Sequence, residues 1–189
     1  QIDVVHLHNA HGNFLGIRDI QKISSLCPVV WTIHDFWPLT GHCASPVGCP
    51  DLWKKGCPTC PRLDNYPPLR QDKAAVLLNE KKRCFNSPNI TYTVPSHWME
   101  RQVGKSCLKD QTCVCVPNSL DTGLWKPFDK HALREQYALP KNRRVLAFVA
   151  ADPRIKAKGM DLLLDALELL PDPDHYLLLI AGKEEGLEI

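Results

Sequence analysis

The chain has 189 residues, and its 44% hydrophobic and 23% charged content is that of an ordinary globular protein with a core. Its net charge of +2 gives no argument for nucleic-acid binding, and no apolar run approaches the roughly 20 residues that cross a bilayer. Nine cysteines is an odd number, and residues 1–3 do not begin a secretory signal. We therefore expect a reducing, cytoplasmic compartment.

The first predicted elements form a strand–helix–strand unit. Residues 2–8 are predicted as a short strand, and residues 9–16 as a loop that contains two glycines. Apolar residues recur at every third position over 17–26, which predicts an amphipathic helix, and Pro28 ends it. The β-branched run 29–33 is the next predicted strand. Such a unit implies a parallel sheet with a right-handed crossover.

The middle of the chain combines a long irregular segment with further helices and strands. Residues 36–70 contain seven prolines and no periodic pattern, which is unusual inside a compact domain. Asp72 and Ser96 are predicted as N-caps of the next two helices. The first of these helices ends in the basic run 81–83, which suits the helix dipole. The predicted elements are a helix over 72–85, a strand over 90–94, a helix from 96 to about 105 and a strand over 113–116.

The last third predicts a connection followed by a second strand–helix–strand unit. Residues 119–143 are interpreted as a linker that contains one helix, over 130–137. The elements that follow are a strand over 145–151, a helix over 159–170 and a strand over 176–181. One such unit is not a stable sheet by itself, so the second domain is expected to be incomplete. The predicted domains are therefore 1–118 and 144–189, and the predicted fold class is α/β with Rossmann-like parallel sheets.

Four histidines lie near the ends of the first two predicted strands. His6 and His8 belong to the first strand, His11 to the loop after it, and His34 follows the second strand beside Asp35. The carboxyl ends of parallel strands meet at one edge of a sheet, where ligands bind in open α/β folds. An imidazole at this edge can contact a sugar hydroxyl or a phosphate, and we favour this interpretation for His34. His6 and His8 are interpreted from the strand pattern as packed, hydrogen-bonded residues.

Four cysteines are clustered in the irregular segment with the spacing C-x5-C-x7-C-x2-C. They are Cys43, Cys49, Cys57 and Cys60. The C-x2-C end is typical of a zinc half-site, although the other spacings are irregular for a zinc ribbon. The sequence shows no other reason for this segment to be ordered. Structural zinc is therefore predicted, with His42 as an alternative ligand, and buried reduced thiols or disulfides stay open as alternatives.

A third candidate site is the loop 152–159, between a predicted strand and a predicted helix. It contains Arg154, Lys158 and Gly159. A helix N-terminus with a glycine and nearby lysines can bind phosphate. The loop has neither the P-loop nor the G-x-G-x-x-G pattern, so a solvated basic turn is an equally open interpretation.

Several motifs together resemble glycosyltransferase family 4. They are the runs Trp31–Cys43, Cys57–Pro61, Val94–Trp98 and Val116–Asp121. The resemblance is closest to the branch that makes colanic acid, capsule and other bacterial exopolysaccharides. It covers nearly the whole chain, with its most specific part over residues 29–61, and residues 145–170 resemble the start of the donor-binding domain.

This resemblance implies the GT-B architecture, in which two Rossmann-like domains face each other across a cleft. The first domain would hold a glycan or lipid-linked acceptor, and the second a UDP- or GDP-linked sugar. The enzyme would be a retaining hexosyltransferase that uses no catalytic metal. It would act in polysaccharide biosynthesis in the cytoplasm, and peripheral contact with the inner face of the membrane is left open.

The resemblance also implies roles for individual residues. His34, as the catalytic residue, would lie near the transferred sugar. The acceptor cleft would be lined by His8, His11, Asp35 and Ser96. Lys158, with Gly159, would meet the donor diphosphate and stabilise the leaving nucleotide as negative charge develops. Family members often carry an arginine shortly before this lysine; here Pro153 stands in that place, with Arg154 beside it.

We expect the chain to be the middle of a longer enzyme. The family's glycine-rich loop early in the first domain and its E-x7-E segment late in the second have no match here. The 189-residue chain alone is therefore expected to have little or no transferase activity. Two other classes stay open, a non-catalytic zinc-stabilised binding module and another Rossmann-like sugar-nucleotide enzyme. The lack of a G-x-G-x-x-G run after any predicted strand argues against an NAD-dependent enzyme.

Overall fold

The computed structural model describes residues 2–12, 14–49 and 51–183. The chain divides into two compact units, Gln1–Ser119 and Leu120–Ile189. Among the described residues, no helix combines the length and the apolar character that a membrane crossing requires.

The first unit is a parallel sheet with helices between its strands. In chain order its elements are β1 (Val5–Leu7), α1 (Ile17–Leu26), β2 (Val29–Thr32), α2 (Ala74–Phe85), β3 (Ile90–Val94), α3 (His97–Val103) and β4 (Cys113–Cys115). The strands pair in the order β1-β2-β3-β4, and every pair is parallel. This confirms the predicted α/β class with a Rossmann-like parallel sheet.

The two predicted helix caps differ in outcome. The Ser96 hydroxyl oxygen accepts a hydrogen bond from the backbone N–H of Met99 at 3.3 Å, as an N-cap does. The prediction for Asp72 is wrong, because α2 begins at Ala74 and its N-cap is Lys73. The Asp72 carboxylate instead accepts hydrogen bonds from the N–H groups of Cys60 and Ala74, at 2.8 and 3.1 Å. It therefore ties the preceding loop to the start of the helix.

The core of the first unit is centred on the indole of Trp31, in β2. Its ring is 1% exposed and lies edge-on to Phe85 of α2, with 4.9 Å between centroids. Its Nε1–H donates to the carbonyl of His8 at 2.8 Å. Tyr92 of β3 packs against the same indole and donates its hydroxyl proton to the carbonyl of Phe85 at 2.7 Å. One side chain thus joins the loop after β1 to the middle of the sheet and to α2.

The second unit repeats the strand–helix–strand arrangement on a smaller scale. Its elements are α4 (Lys130–Gln136), β5 (Arg144–Val149), α5 (Met160–Glu168) and β6 (Tyr176–Ala181). The two strands pair in parallel, with Arg144 opposite Tyr176 and Val149 opposite Ala181. The segment interpreted as a linker contains α4, which belongs to this unit.

Shortening Trp31 to phenylalanine tests this account of the core. Trp31→Phe removes the hydrogen bond to His8 and leaves unfilled volume, so we expect the free energy of unfolding to fall by about 2 kcal/mol. The matched control is Trp98→Phe, the same change at a side chain that is 52% exposed. Urea denaturation measures both, and equal effects of the two variants would contradict the assignment of Trp31 as the centre of the core.

Candidate functional site

The carboxyl edge of β1 and β2 brings two imidazoles together. Leu7 lies opposite Trp31 in the parallel register, so the residues that follow each strand leave the sheet side by side. His8 Nδ1 lies 2.9 Å from His34 Nε2, and the two exposed rings stack with centroids 5.2 Å apart. Local desolvation, together with the neighbouring imidazoles of His6 and His34, lowers the pKa of His8. The lowered pKa favours the neutral form of the His8 ring.

His6 lies in β1 and is hydrogen-bonded across to the neighbouring strand β2. Its Nε2 lies 2.8 Å from the hydroxyl of Thr32, which in turn lies 2.7 Å from the hydroxyl of Thr93. The expectation that His6 and His8 are hydrogen-bonded is confirmed for both, and their ring centroids lie 4.3 Å apart, although both residues are exposed.

A second pair at this edge consists of His11 and Asp35. His11 Nε2 lies 2.6 Å from one carboxylate oxygen of Asp35, and the other oxygen accepts the backbone N–H of Trp37 at 2.9 Å. The His11 side chain is 10% exposed. Its Nδ1 is buried and has no hydrogen-bond partner among the described residues. The side chains of His11 and Asp35, both predicted from the sequence, are thus directly bonded to each other.

His11 also lines a cleft of about 750 Å³, which we call the His11 cleft. It lies between the start of α1 and the loop that precedes α2. Its other walls include Phe14, Asp19, Trp37, Tyr66 and Lys81. The Tyr66 ring stands edge-on to the His11 ring, with centroids 5.5 Å apart. This volume is within the range of small-molecule sites.

Lys81 is the functional residue that sequence reasoning missed. The sequence predicts the run 81–83 as a basic helix end, without separating Lys81 from the other two, but Lys81 is 1% exposed. Its ammonium donates to the carbonyls of Trp37 and Thr40, at 2.6 and 3.0 Å, and lies 3.9 Å from the Trp37 ring centroid. Burial lowers the pKa of Lys81 to about 7, although Asp35 and nearby thiols oppose the shift. Its spacing, three residues after Leu78 and four before Phe85, places it on the buried face of α2, and this is the signal that could have found it.

The loop between β2 and α2 is ordered by buried hydrogen bonds and by close packing against α2. Buried His42 lies with its Nδ1 2.7 Å from the carbonyl of Pro67 and its Nε2 3.2 Å from the sulfur of Cys60. Gly41 passes the start of α2 so closely that a Cβ there would lie 2.6 Å from the Cβ and carbonyl oxygen of Ala74. The premise that this loop lacks any other reason for order is therefore wrong.

The four predicted zinc ligands lie in this loop, and Cys43 and Cys57 are buried. Burial raises the pKa of Cys43 to about 11, and it also raises the pKa of Cys57, with smaller contributions from neighbouring thiols. Cys49 and Cys60 are among those neighbours. Over residues 2–12, 14–49 and 51–183, no three side chains of His, Cys, Asp or Glu are arranged to hold a metal ion. The cysteines are free thiols in this structure, and zinc stays a prediction of the sequence.

The loop 152–159, which the resemblance predicts to meet the donor and which we call the donor loop, lies in the second unit between β5 and α5. Lys158 is exposed and is followed by Gly159, the N-cap of α5, which has a φ of 78° that favours glycine. Arg154 makes two hydrogen bonds to the carboxylate of Asp152, at 2.9 and 2.8 Å. These bonds lower the pKa of Asp152 to about 2. Arg154 is thus already paired with Asp152, whereas the exposed Lys158 lies just before the N-terminus of α5.

Comparison with known proteins gives one informative similarity. The chain is 31% identical over 180 residues to the Escherichia coli (strain K12) protein named "Putative colanic acid biosynthesis glycosyl transferase WcaC". The match covers 89% of this chain and 43% of the relative, so the chain spans less than half of the relative's length. No protein-family model matches the chain. The similarity supports the link to glycosyltransferases that the sequence motifs indicate, while family 4 and the GT-B fold stay predictions.

Removing the Lys81 side chain tests its role in the loop. Lys81→Ala leaves two carbonyls without their donor and opens a cavity, so we expect the free energy of unfolding to fall by about 2–5 kcal/mol. The matched control is Lys82→Ala, at an exposed position of the same helix. Chemical denaturation measures both, and a Lys81→Ala variant as stable as the control would contradict this role.

The loss of stability in Lys81→Ala is also expected to depend on pH. Because the folded pKa of Lys81, about 7, lies below its usual value, the unfolded chain binds the proton more tightly above pH 7. Lys81 therefore contributes more stability as pH rises from about 7 to about 8, which is below the usual thiol pKa of about 8.5. We expect the deficit of Lys81→Ala to be larger at the upper pH, and a pH-independent deficit would contradict the lowered pKa.

Treatment with a chelator tests whether zinc stabilises the loop that contains the four clustered cysteines. Since the described residues bring no three ligating side chains together in this loop, we expect the same Tm before and after treatment with EDTA. Elemental analysis of the same sample is the companion measurement. Stoichiometric zinc, together with a Tm that falls on chelation, would establish the zinc site predicted from the sequence and overturn this expectation.

Proposed function

We propose that the chain is part of a glycosyltransferase of polysaccharide biosynthesis. It would transfer a sugar from a UDP- or GDP-linked donor to a glycan or lipid-linked acceptor. The similarity to the E. coli colanic acid glycosyl transferase over most of the chain carries this proposal. Membership of family 4, the GT-B architecture and retention of configuration without a catalytic metal are parts of the proposal that rest on the sequence motifs. A cytoplasmic location on or near the membrane belongs to it as well.

In this proposal the first unit supplies the acceptor side. His34 and His8 form an exposed, hydrogen-bonded pair at the carboxyl edge of the sheet, where ligands of open α/β folds bind. The lowered pKa of His8 favours a neutral imidazole at this residue, which can both donate and accept hydrogen bonds with sugar hydroxyls. We assign His34 to the transferred sugar. Ser96 is also assigned to the acceptor side, although its hydroxyl oxygen already caps α3.

The second unit would hold the diphosphate of the donor. Lys158 lies next to the N-terminus of α5, where backbone N–H groups and the helix dipole favour an anion. Its ammonium would stabilise the negative charge that develops on the leaving nucleotide. Arg154 could join only by leaving Asp152, to which it is bonded through two nitrogens. Lys158 is therefore the main cation that we propose for the donor.

A nucleotide titration followed by NMR tests the proposal without requiring the sugar to be known. UDP and GDP are added separately to the ¹⁵N-labelled chain, and we expect one of them to shift the amide signals around Gly159. In Lys158→Ala the affinity should fall at least about tenfold, as expected for a lost charge-assisted hydrogen bond. The matched control, Lys156→Ala, removes an exposed lysine from the same turn and should bind as the wild type does.

Two results would contradict the proposal. One is that neither UDP nor GDP shifts any signal in the donor loop. The other is that Lys158→Ala binds the nucleotide as tightly as Lys156→Ala does.

A further inference from the structure

We propose that the His11 cleft is a saccharide site in which Nδ1 of His11 accepts a hydrogen bond from a sugar hydroxyl. This inference rests on the proposed function, because it names the chemical class and one contact of the acceptor. It goes beyond the proposed function by naming the atom that contacts the sugar, the direction of the hydrogen bond and the cleft, whose described lining residues belong to the first unit.

The direction of the hydrogen bond follows from Asp35. An ionised carboxylate only accepts hydrogen bonds, so in the neutral form of the ring the single proton of His11 lies on Nε2, which is 2.6 Å from Asp35. The other oxygen of Asp35 accepts the N–H of Trp37, which fixes the orientation of the carboxylate. Nδ1 is therefore a lone-pair acceptor, and the geometry selects ligands that donate.

The environment of Nδ1 points to a ligand rather than to a partner in the protein. It is buried without a hydrogen-bond partner among the described residues, and a buried polar atom in this state costs about 1–3 kcal/mol. Tyr66, whose ring stands edge-on to His11, is 58% exposed and can move without disturbing the core. A hydroxyl that reaches Nδ1 would satisfy this atom.

The walls of the His11 cleft favour a neutral, hydroxyl-rich molecule. Phe14 and Tyr66 present exposed aromatic rings, which can pack against the C–H face of a sugar. The carboxylate of Asp19 lies at the cleft and is a further acceptor for hydroxyl protons. Lys81 is the only lysine among the lining residues that the structure describes, and it already donates to two backbone carbonyls. The carboxylate of Asp19, without an available lysine beside it, would repel a diphosphate, so the nucleotide does not belong here.

The test uses the full chain and two variants of the histidine–aspartate pair. His11→Phe keeps a planar ring but removes both nitrogens. Asp35→Asn keeps the shape, and its amide N–H₂ donates to Nε2, which transfers the ring proton to Nδ1 and reverses the polarity of that atom. His97→Phe is the matched control, because His97 is an exposed histidine whose partner is Glu100. Thermal denaturation establishes that each variant is folded.

The probe is a microarray of bacterial glycans, followed by calorimetry with the glycan that the wild type retains most strongly. We expect His11→Phe and Asp35→Asn to bind that glycan about tenfold more weakly, and His97→Phe to bind it unchanged. In long-range ¹H–¹⁵N spectra of the wild type, Nδ1 of His11 should be unprotonated and should shift when the glycan is added. If His11→Phe does not fold, Asp35→Asn and these spectra still decide the question.

The inference is overturned if the wild type retains no glycan, if both variants bind as the wild type does, or if Nδ1 carries the proton. Its failure is distinct from failure of the proposed function. Nucleotide binding that depends on Lys158, without a role for His11, would place the acceptor elsewhere. Glycan binding that depends on His11, without nucleotide binding, would leave a saccharide-binding protein that does not transfer.

Discussion

The buried ammonium of Lys81 is the interaction on which the candidate site depends. It crosses from α2 to the turn after β2, where two carbonyls and the ring of Trp37 replace its hydration shell. Burial of a charge is unfavourable unless such partners are present, so the turn and the lysine require each other. Trp37 is also the residue whose N–H orients Asp35. The position of the His11–Asp35 pair is therefore coupled to a helix that is distant along the chain.

Two pairs of side chains share one edge of the sheet but have different surroundings. His8 and His34 are exposed to solvent, and either ring can donate or accept a hydrogen bond. His11 and Asp35 are more enclosed, and a carboxylate fixes which nitrogen carries the proton. The first pair suits contacts that change during a reaction, whereas the second suits one constant contact. This division agrees with the proposed separation between the transferred sugar and the acceptor.

Local patterns were sufficient for the elements and for the edge where polar residues gather. The apolar repeat of α1 and the β-branched run of β3 gave the same bounds as the structure, and Ser96 was recognisable as a cap. Contacts between distant residues were not predictable in this way. Helical spacing places Lys81, unlike Lys82, on the buried face of α2, but its partner is a carbonyl 44 residues away that no local pattern identifies. The pairing of His11 with Asp35 depends on the path of two loops, which periodicity does not encode.

The close passage of Gly41 over the start of α2 changes the meaning of the Thr40–Cys43 run as a sequence signature. Any side chain at position 41 would collide with the backbone of Ala74, so a glycine is required there by packing alone. Thr40 and His42 likewise serve the loop through their bonds to Cys43 and Pro67. A search for distant relatives that relies on this run would recover proteins with the same loop crossing. It would not separate those that transfer sugars from those that have lost the reaction and kept the fold.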